Sequence, residues 1–441
     1  MARDSPAFRS VAPKLGFVAP LDGLRGFGIA VVVLGHASGD RIQGFLSIID
    51  CFFILSGFLI VTLLLQEQRS TGGVDFRKFY SRRAVRLLPA LWVNLVFWLL
   101  VGVVAELAGK HYLTDIGKNV AASFLYVYHL FFPVSMELIR GVPAGHDAER
   151  VLSPLWTLSI EEHFYLVVPL LVVFAMKRNL VKTLAATLAA IWLGINVHRL
   201  LGYTGPLMDP TAPAFVRLMW MARPEALLVG SALALVNAHI PESFTDRHRK
   251  VLLPVGATAL VAWLLSMQTS HTLIRDHIST WFYWPLAPGI GSLDSYGNGP
   301  VDDRWYYFRF NHFLSQALFL VAIFAILRYR DWWAPRLFSV KPLTFLGRLS
   351  YTLYIWHSVP IVLVKLVAPH LNWVATTAFV GVASVALALP IYRFVELPVL
   401  GMKLRFSAEK ETLDLRTGKV IATPGQDGDN TSAGAPPPSG P

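Results

Sequence analysis

Ten stretches of this 441-residue chain stay apolar for about the length an α-helix needs to cross hydrocarbon. They fall near 19–38, 45–65, 87–107, 156–176, 183–201, 216–237, 251–268, 312–328, 346–367 and 374–395. A backbone in lipid must satisfy its own hydrogen bonds, so runs of this kind leave only helices as the spanning element. Charged residues make up 15% of the chain, against about a quarter in soluble domains. The expected fold class is an all-α polytopic membrane protein with about ten transmembrane helices. An eleventh run, Val120 to Val134, is about 15 residues long and falls short of the roughly 20 that crossing requires. It is expected to be a re-entrant or interfacial helix.

Loop charge sets the expected orientation. The 66–86 loop carries Arg69, Arg77, Lys78, Arg82, Arg83 and Arg86, which marks it as cytoplasmic. With ten spans, the other loops on that side, 177–182, 246–250 and 329–345, are all basic, and both termini are cytoplasmic. The net charge of +11 is absorbed by these loops, so no nucleic-acid partner is implied. The domain reading is a basic cytoplasmic N-terminus at 1–18, a membrane domain at 19–400 and a disordered cytoplasmic tail at 407–441, too poor in apolar residues to pack. The sole cysteine, Cys51, excludes an intrachain disulfide. Metal-ligand spacings, glycine-rich nucleotide loops and a cleavable leader are not expected.

Ionisable side chains inside apolar helices cost a few kcal/mol each, about 2.5–3.5 on insertion scales, so they are functional candidates. Arg25 and His36 are eleven residues apart, about three turns plus 20°, which puts them on one helix face about 16 Å apart along the axis. Asp22 shares that face. Such a face lines a passage that holds an anion at one end and does proton chemistry deeper in; the competing reading has Arg25 snorkelling and His36 packed by a hydrogen bond. In the fourth span Ser159, Glu162 and Tyr165 share a face, and Glu161 and Tyr165 form an i, i+4 pair. One of the two carboxylates would pair with His36 or Arg25; the alternative leaves both in water at the outer interface. Arg223, Glu225 and His357 in later spans suit a polar network, structural or catalytic. Glu396 is expected to pair with Arg393. The basic segment with Arg82, Arg83 and Arg86 reads as a topology signal and lipid contact, or as a cradle for the phosphates of a cytosolic donor.

With these residues in view, the chain resembles the acyltransferase 3 family of integral membrane O-acyltransferases. Arg25-x10-His36 within LDGLRGFGIAVVVLGH resembles its signature. FFILSGFLI (52–60), RRAVRLLPALW (82–92), LWTLSIEEHFYLVVPLL (155–171), RPEALLVGSALA (223–234), LGRLSYTLYIWH (346–357) and RFVELP (393–398) are similar to its later landmarks, in order. Thr157, His163, Asp50 and Glu225 depart from its usual residues. The resemblance implies transfer of an acyl group, usually acetyl, from cytosolic acyl-CoA to a hydroxyl of a glycan, glycolipid or secondary-metabolite acceptor. No permanently bound cofactor is implied, and the expected location is the bacterial inner membrane. Arg25, Arg82, Arg83 and Arg86 would hold the CoA portion. His36 would act as base or transient acyl carrier, oriented by Glu161 or Glu162, while Tyr165 or Ser159 would donate to the oxyanion. The rival of a different class is a transporter or flippase that moves a glycan or other polar substrate with the same charges. The aromatic residues Trp281, Trp284, Trp305, Tyr306 and Tyr307 would stack on a sugar or form an interfacial belt.

Overall fold

A computed structural model describes residues 9–10, 18–38, 45–131, 151–152, 154–200, 223–267, 312–402, 411–413 and 420–422. Its helices in chain order are α1 (Ala19–Ala37), α2 (Phe45–Thr71), α3 (Phe76–Leu107), α4 (Leu113–Phe124), α5 (Tyr128–Phe131), α6 (Leu155–Lys177), α7 (Val181–Leu200), α8 (Glu225–His239), α9 (Glu242–Arg247), α10 (Arg249–Ser266), α11 (His312–Arg328), α12 (Trp333–Phe338), α13 (Lys341–Trp356), α14 (Ser358–Val367), α15 (Trp373–Ile391), a π turn at Tyr392–Glu396 and α16 (Leu397–Met402). Local chemistry sets several of the ends. Asp75 caps α3 by accepting from the Lys78 N–H at 3.0 Å, and Asn372 caps α15 by accepting from the Ala375 N–H at 2.9 Å.

Among the described residues, six helical stretches can cross a membrane by length and composition: most of α2, α3, α6, α7, α10, and α15 with its continuation. The bent pair α13–α14 makes a seventh if it counts as one span. The other expected spans coincide with α1, α8 and α11, although 216–222 lies outside the described residues. Exposed apolar side chains cover the outer faces of α3 (Trp92, Val96, Leu100, Val104) and α6 (Leu166, Leu170, Phe174), as a lipid-facing helix requires. The molecule is an integral membrane protein.

Three expectations need correction. The span expected to run unbroken over 346–367 is broken at His357, where α13 and α14 meet with a 54° bend. Pro360 explains it: a proline has no N–H for the carbonyl four residues back, and its ring clashes with that carbonyl. The short run at 120–134 divides into α4 and α5, separated at Leu125–Val127, with Tyr126 at φ +55; residues 132–134 lie outside the description. The tail, expected to be without structure, carries two short antiparallel strands, β1 (Glu411–Leu413) and β2 (Val420–Ala422), in the register Glu411↔Ala422. The signal passed over is the apolar and β-branched content of ETL and VIA. The aromatic residues at 281–307 lie outside the described residues.

The helices around the site touch backbone to backbone. A methyl group built on Gly26 of α1 would sit 1.9 Å from the carbonyl oxygen of Leu343, and one on Gly347 of α13 would sit 1.9 Å from that of Asp22. The same close approach joins α2 to α8, where a methyl on Gly57 would fall 2.1 Å from the Leu227 oxygen and one on Gly230 2.1 Å from the Ile54 oxygen. Small residues are how helices pack tightly where lipid supplies no hydrophobic drive between them. Gly26→Ala is therefore expected to destabilise by on the order of 3 kcal/mol, read as a lower melting temperature in detergent. Gly194→Ala in α7, where a methyl meets nothing within 4 Å, is expected to be neutral or stabilising by up to about 1 kcal/mol.

Candidate active site

A cavity of about 320 Å³ opens among α1, α2, α3, α6 and α13. Its polar lining is Asp22 and Arg25 from α1, Ser56 from α2, Arg83 and Arg86 from α3, Thr157, Glu161 and Tyr165 from α6, and Ser350, Tyr351 and Tyr354 from α13. Apolar walls come from α2, including Phe52, Phe53, Leu59 and Leu63. That size and mixture suit a small-molecule site.

The charges in the lining balance one another locally. Arg83 donates from Nη2 to Glu162 Oε1 at 3.0 Å, and its guanidinium lies 3.2 Å from the centroid of the Tyr165 ring. That stacking holds the arginine fork flat against α6. The Ser56 hydroxyl donates to Glu161 Oε1 at 2.9 Å. Arg25, Arg86 and Arg348 act on Asp22 electrostatically, and Arg25 and Arg86 act on Glu396. The π turn, one residue wider than an α turn, brings Glu396 inward to accept from the Thr352 hydroxyl, while Arg393 stacks on Phe394. The expected Glu396–Arg393 pair is thus replaced.

At the other end of α1, His36 meets His357. The His36 Nδ1 and His357 Nε2 atoms are 3.0 Å apart, with the rings nearly parallel at 7°. His357 Nδ1 lies 2.6 Å from the carbonyl oxygen of its own Tyr354. The Tyr354 hydroxyl donates to the Pro154 carbonyl at 2.6 Å and bonds Thr157 at 2.7 Å. The expected passage lined by both Arg25 and His36 is met at the Arg25 end alone. The described lining stops at Thr157 and Tyr354, and the histidine pair stands behind Tyr354.

Other expected partnerships are rearranged. The partner that the structure shows for His36 is His357, while Glu161 and Glu162 engage Ser56 and Arg83. His36 is in the last turn of α1 and meets the end of α13, whereas the two carboxylates face α2 and α3. Arg82 does not line the cavity; it pairs with Glu67 at 2.7 Å. Ser159 is buried and gives its hydroxyl to the Leu155 carbonyl, a back-bond within its own helix. His163 packs edge-on against His129.

Arg223 and Glu225 belong to a separate, buried network. Arg223 Nε donates to Asp50 Oδ1 at 2.5 Å, and the other Asp50 oxygen meets His312 Nδ1 at 2.7 Å. Glu225 pairs with Arg199. Asp50 and Glu225 are 0% exposed, so none of this charge faces water. Arg223 takes φ +51, an unfavourable conformation for a side chain of this size, and the ion pair to Asp50 holds it there. The sequence reading missed Arg199 and His312, which lie at span ends, and noted Asp50 only as a departure from the family pattern. Ser56 lay inside a quoted motif without a role. Tyr354 carried no charge to mark it. Among the described residues no group of three or more His, Cys, Asp or Glu side chains is placed to hold a metal.

The family model described as an acyltransferase domain matches residues 18–393. The chain belongs to the acyltransferase 3 family. Among its relatives, the O-acetyltransferase OatA of Staphylococcus aureus strain MRSA252 is 26% identical over 417 residues, 92% of this chain and 61% of the relative. The peptidoglycan O-acetyltransferase OatA of Listeria monocytogenes serovar 1/2a is 27% identical over 395 residues, 87% of this chain and 56% of the relative. The chain thus spans about three fifths of the length of these curated relatives. No solved structure matches it. The matched region of this acyltransferase 3 domain contains the cavity and the histidine pair.

Removing one member of the buried network leaves a buried charge alone. Asp50→Ala is expected to destabilise by about 3–5 kcal/mol, read as lost monodisperse protein and a lower melting temperature. Arg82→Ala leaves the buried Glu67 with its second partner, the Asp75 N–H at 3.0 Å, and is expected to cost less, about 1–3 kcal/mol, in the same assay.

Proposed function

We propose that this protein is a membrane-embedded O-acyltransferase that moves an acyl group, acetyl by preference, from acyl-CoA to a hydroxyl of a cell-envelope glycan. The observation that carries the reading is a cavity inside the acyltransferase domain lined by Arg25, Arg83 and Arg86 and ending next to a histidine pair. Peptidoglycan is the first acceptor to test, because the Listeria relative is named for it. Basic loops support a cytoplasmic position for the end of the bundle that carries Val18 and Asp22, and the bacterial inner membrane as the location.

In this scheme the guanidinium groups bind the phosphates of the donor, with Arg as the residue suited to that geometry. Asp22, Glu161 and Glu162 keep those cations in place and balance their charge, so the phosphates compete with these carboxylates for the guanidinium groups. His36, half-buried at the opposite end of α1, is the base. It takes the proton of the acceptor hydroxyl as the oxygen attacks the thioester carbonyl. The C–S bond then breaks, and the departing sulfur takes the proton back from the imidazolium. Tyr165, in the cavity wall, is a candidate donor to the oxyanion; Ser159, committed to its own helix, is not.

Purified protein incubated with labelled acetyl-CoA and glycan oligomers is expected to yield an O-acetylated sugar. His36→Ala is expected to lower turnover about 10²–10⁴-fold, the range for loss of a general base. Arg25→Ala is expected chiefly to raise KM for the donor. Transport of the glycan across vesicles with no acetylated product would replace this reading with that of a transporter.

A further inference from the structure

The hydrogen bonds around His357 dictate where the protons sit on both rings. A backbone carbonyl can only accept, so the 2.6 Å contact between His357 Nδ1 and the Tyr354 oxygen requires a proton on that nitrogen. In the neutral ring, His357 Nε2 then carries a lone pair. His36 Nδ1, 3.0 Å from that lone pair, must be the donor in its turn. His36 is thereby held with its proton on Nδ1 and a lone pair on Nε2.

We propose that His357 is a positioning residue that fixes His36 in the Nδ1–H tautomer, so that Nε2 of His36 is its proton-accepting atom. This rests on the base role given to His36 above and adds the element that aims it. Free imidazole side chains prefer the opposite tautomer, with the proton on Nε2, so without His357 the basic nitrogen would point back toward α13. When Nε2 takes a proton, the Nδ1–H bond to His357 remains and shares the new charge. Both rings cannot be doubly protonated together, because two N–H groups would then face each other. The pair therefore carries one extra proton at a time, which is what a base that gives its proton back each cycle needs.

The test is nitrogen NMR on full-length protein in nanodiscs with histidine labelled at both ring nitrogens. The His36 signals are assigned by difference with His36→Gln. The expected wild-type spectrum shows His36 protonated at Nδ1 and bare at Nε2. His357→Gln places an amide oxygen near the former Nε2 and is expected to keep that tautomer, with most of the turnover. His357→Leu has no acceptor and is expected to shift His36 toward the Nε2–H form and lower kcat about tenfold or more, with KM for the donor little changed. A wild-type His36 protonated at Nε2 would overturn the proposal. So would a His357→Leu protein whose His36 tautomer or kcat matches wild type. The spectra need no substrate. A wild type that shows the expected tautomer but transfers no acyl group leaves the assignment standing and removes the function proposed above. If His357→Leu does not fold, the wild-type and His357→Gln spectra still decide.

Discussion

The site depends on one contact, the backbone-to-backbone seam between α1 and α13. Glycines at 26 and 347 let the two helices close until carbonyl oxygens occupy the space that side chains would fill, and Gly23 does the same against Phe338 at the end of α12. The helices run in the same direction, with Gly347 against Asp22 at one end and His357 against His36 at the other. Two registers along one seam fix the rest: the first turns of α1 present Asp22 and Arg25 to the cavity, and the last turn meets a second imidazole. In lipid such a seam cannot be drawn together by apolar burial alone, since hydrocarbon is as good a partner as leucine. Close van der Waals contact and polar contacts across the helices must hold it.

Charge inside the protein follows two patterns, and the difference between them separates support from chemistry. Asp50 pairs with Arg223 and His312, and Glu225 with Arg199 beside them, all deeply buried. Their effect is to lock α2 against α7, α8 and α11, because breaking any pair strands a charge. Around the cavity the arrangement is looser. Arg83 has its carboxylate and its aromatic face, yet it also lines open volume with Arg25, Arg86, Asp22 and Glu161. Groups held in place while still facing a space are the ones that meet a ligand.

Length and apolarity made the helices legible, because the hydrocarbon thickness imposes one scale on every span. The residues of the first span were legible for a related reason: Asp22, Arg25 and His36 are too costly in an apolar helix to pass unnoticed. What the sequence hid was partnership. Helical period shows which residues share a face, but it does not show which helix that face meets. Glu161 and Glu162 were therefore assigned to His36 or Arg25, when Ser56 and Arg83 are the residues that bond them. Arg82, one residue from Arg83, points to Glu67 because a single step along a helix turns the side chain by about 100°. Tyr354 and Ser56 were hidden for another reason, as neutral hydroxyls carry no penalty large enough to mark them.

The break at His357 shows how a local defect becomes part of the site. Pro360 has no N–H to offer the Trp356 carbonyl, and α13 ends at Trp356. The Leu353 oxygen keeps its regular partner, the His357 N–H four residues on, while the Tyr354 oxygen accepts from the His357 ring. A straight helix would direct the Tyr354 carbonyl at the next turn and leave the imidazole with no fixed proton. The bend thus lies where the Tyr354 carbonyl meets the His357 ring, and that ring meets its neighbour. Tyr354 is at once the wall of the cavity and the anchor of the pair, so the space that would hold a donor and the imidazoles beyond it share one residue.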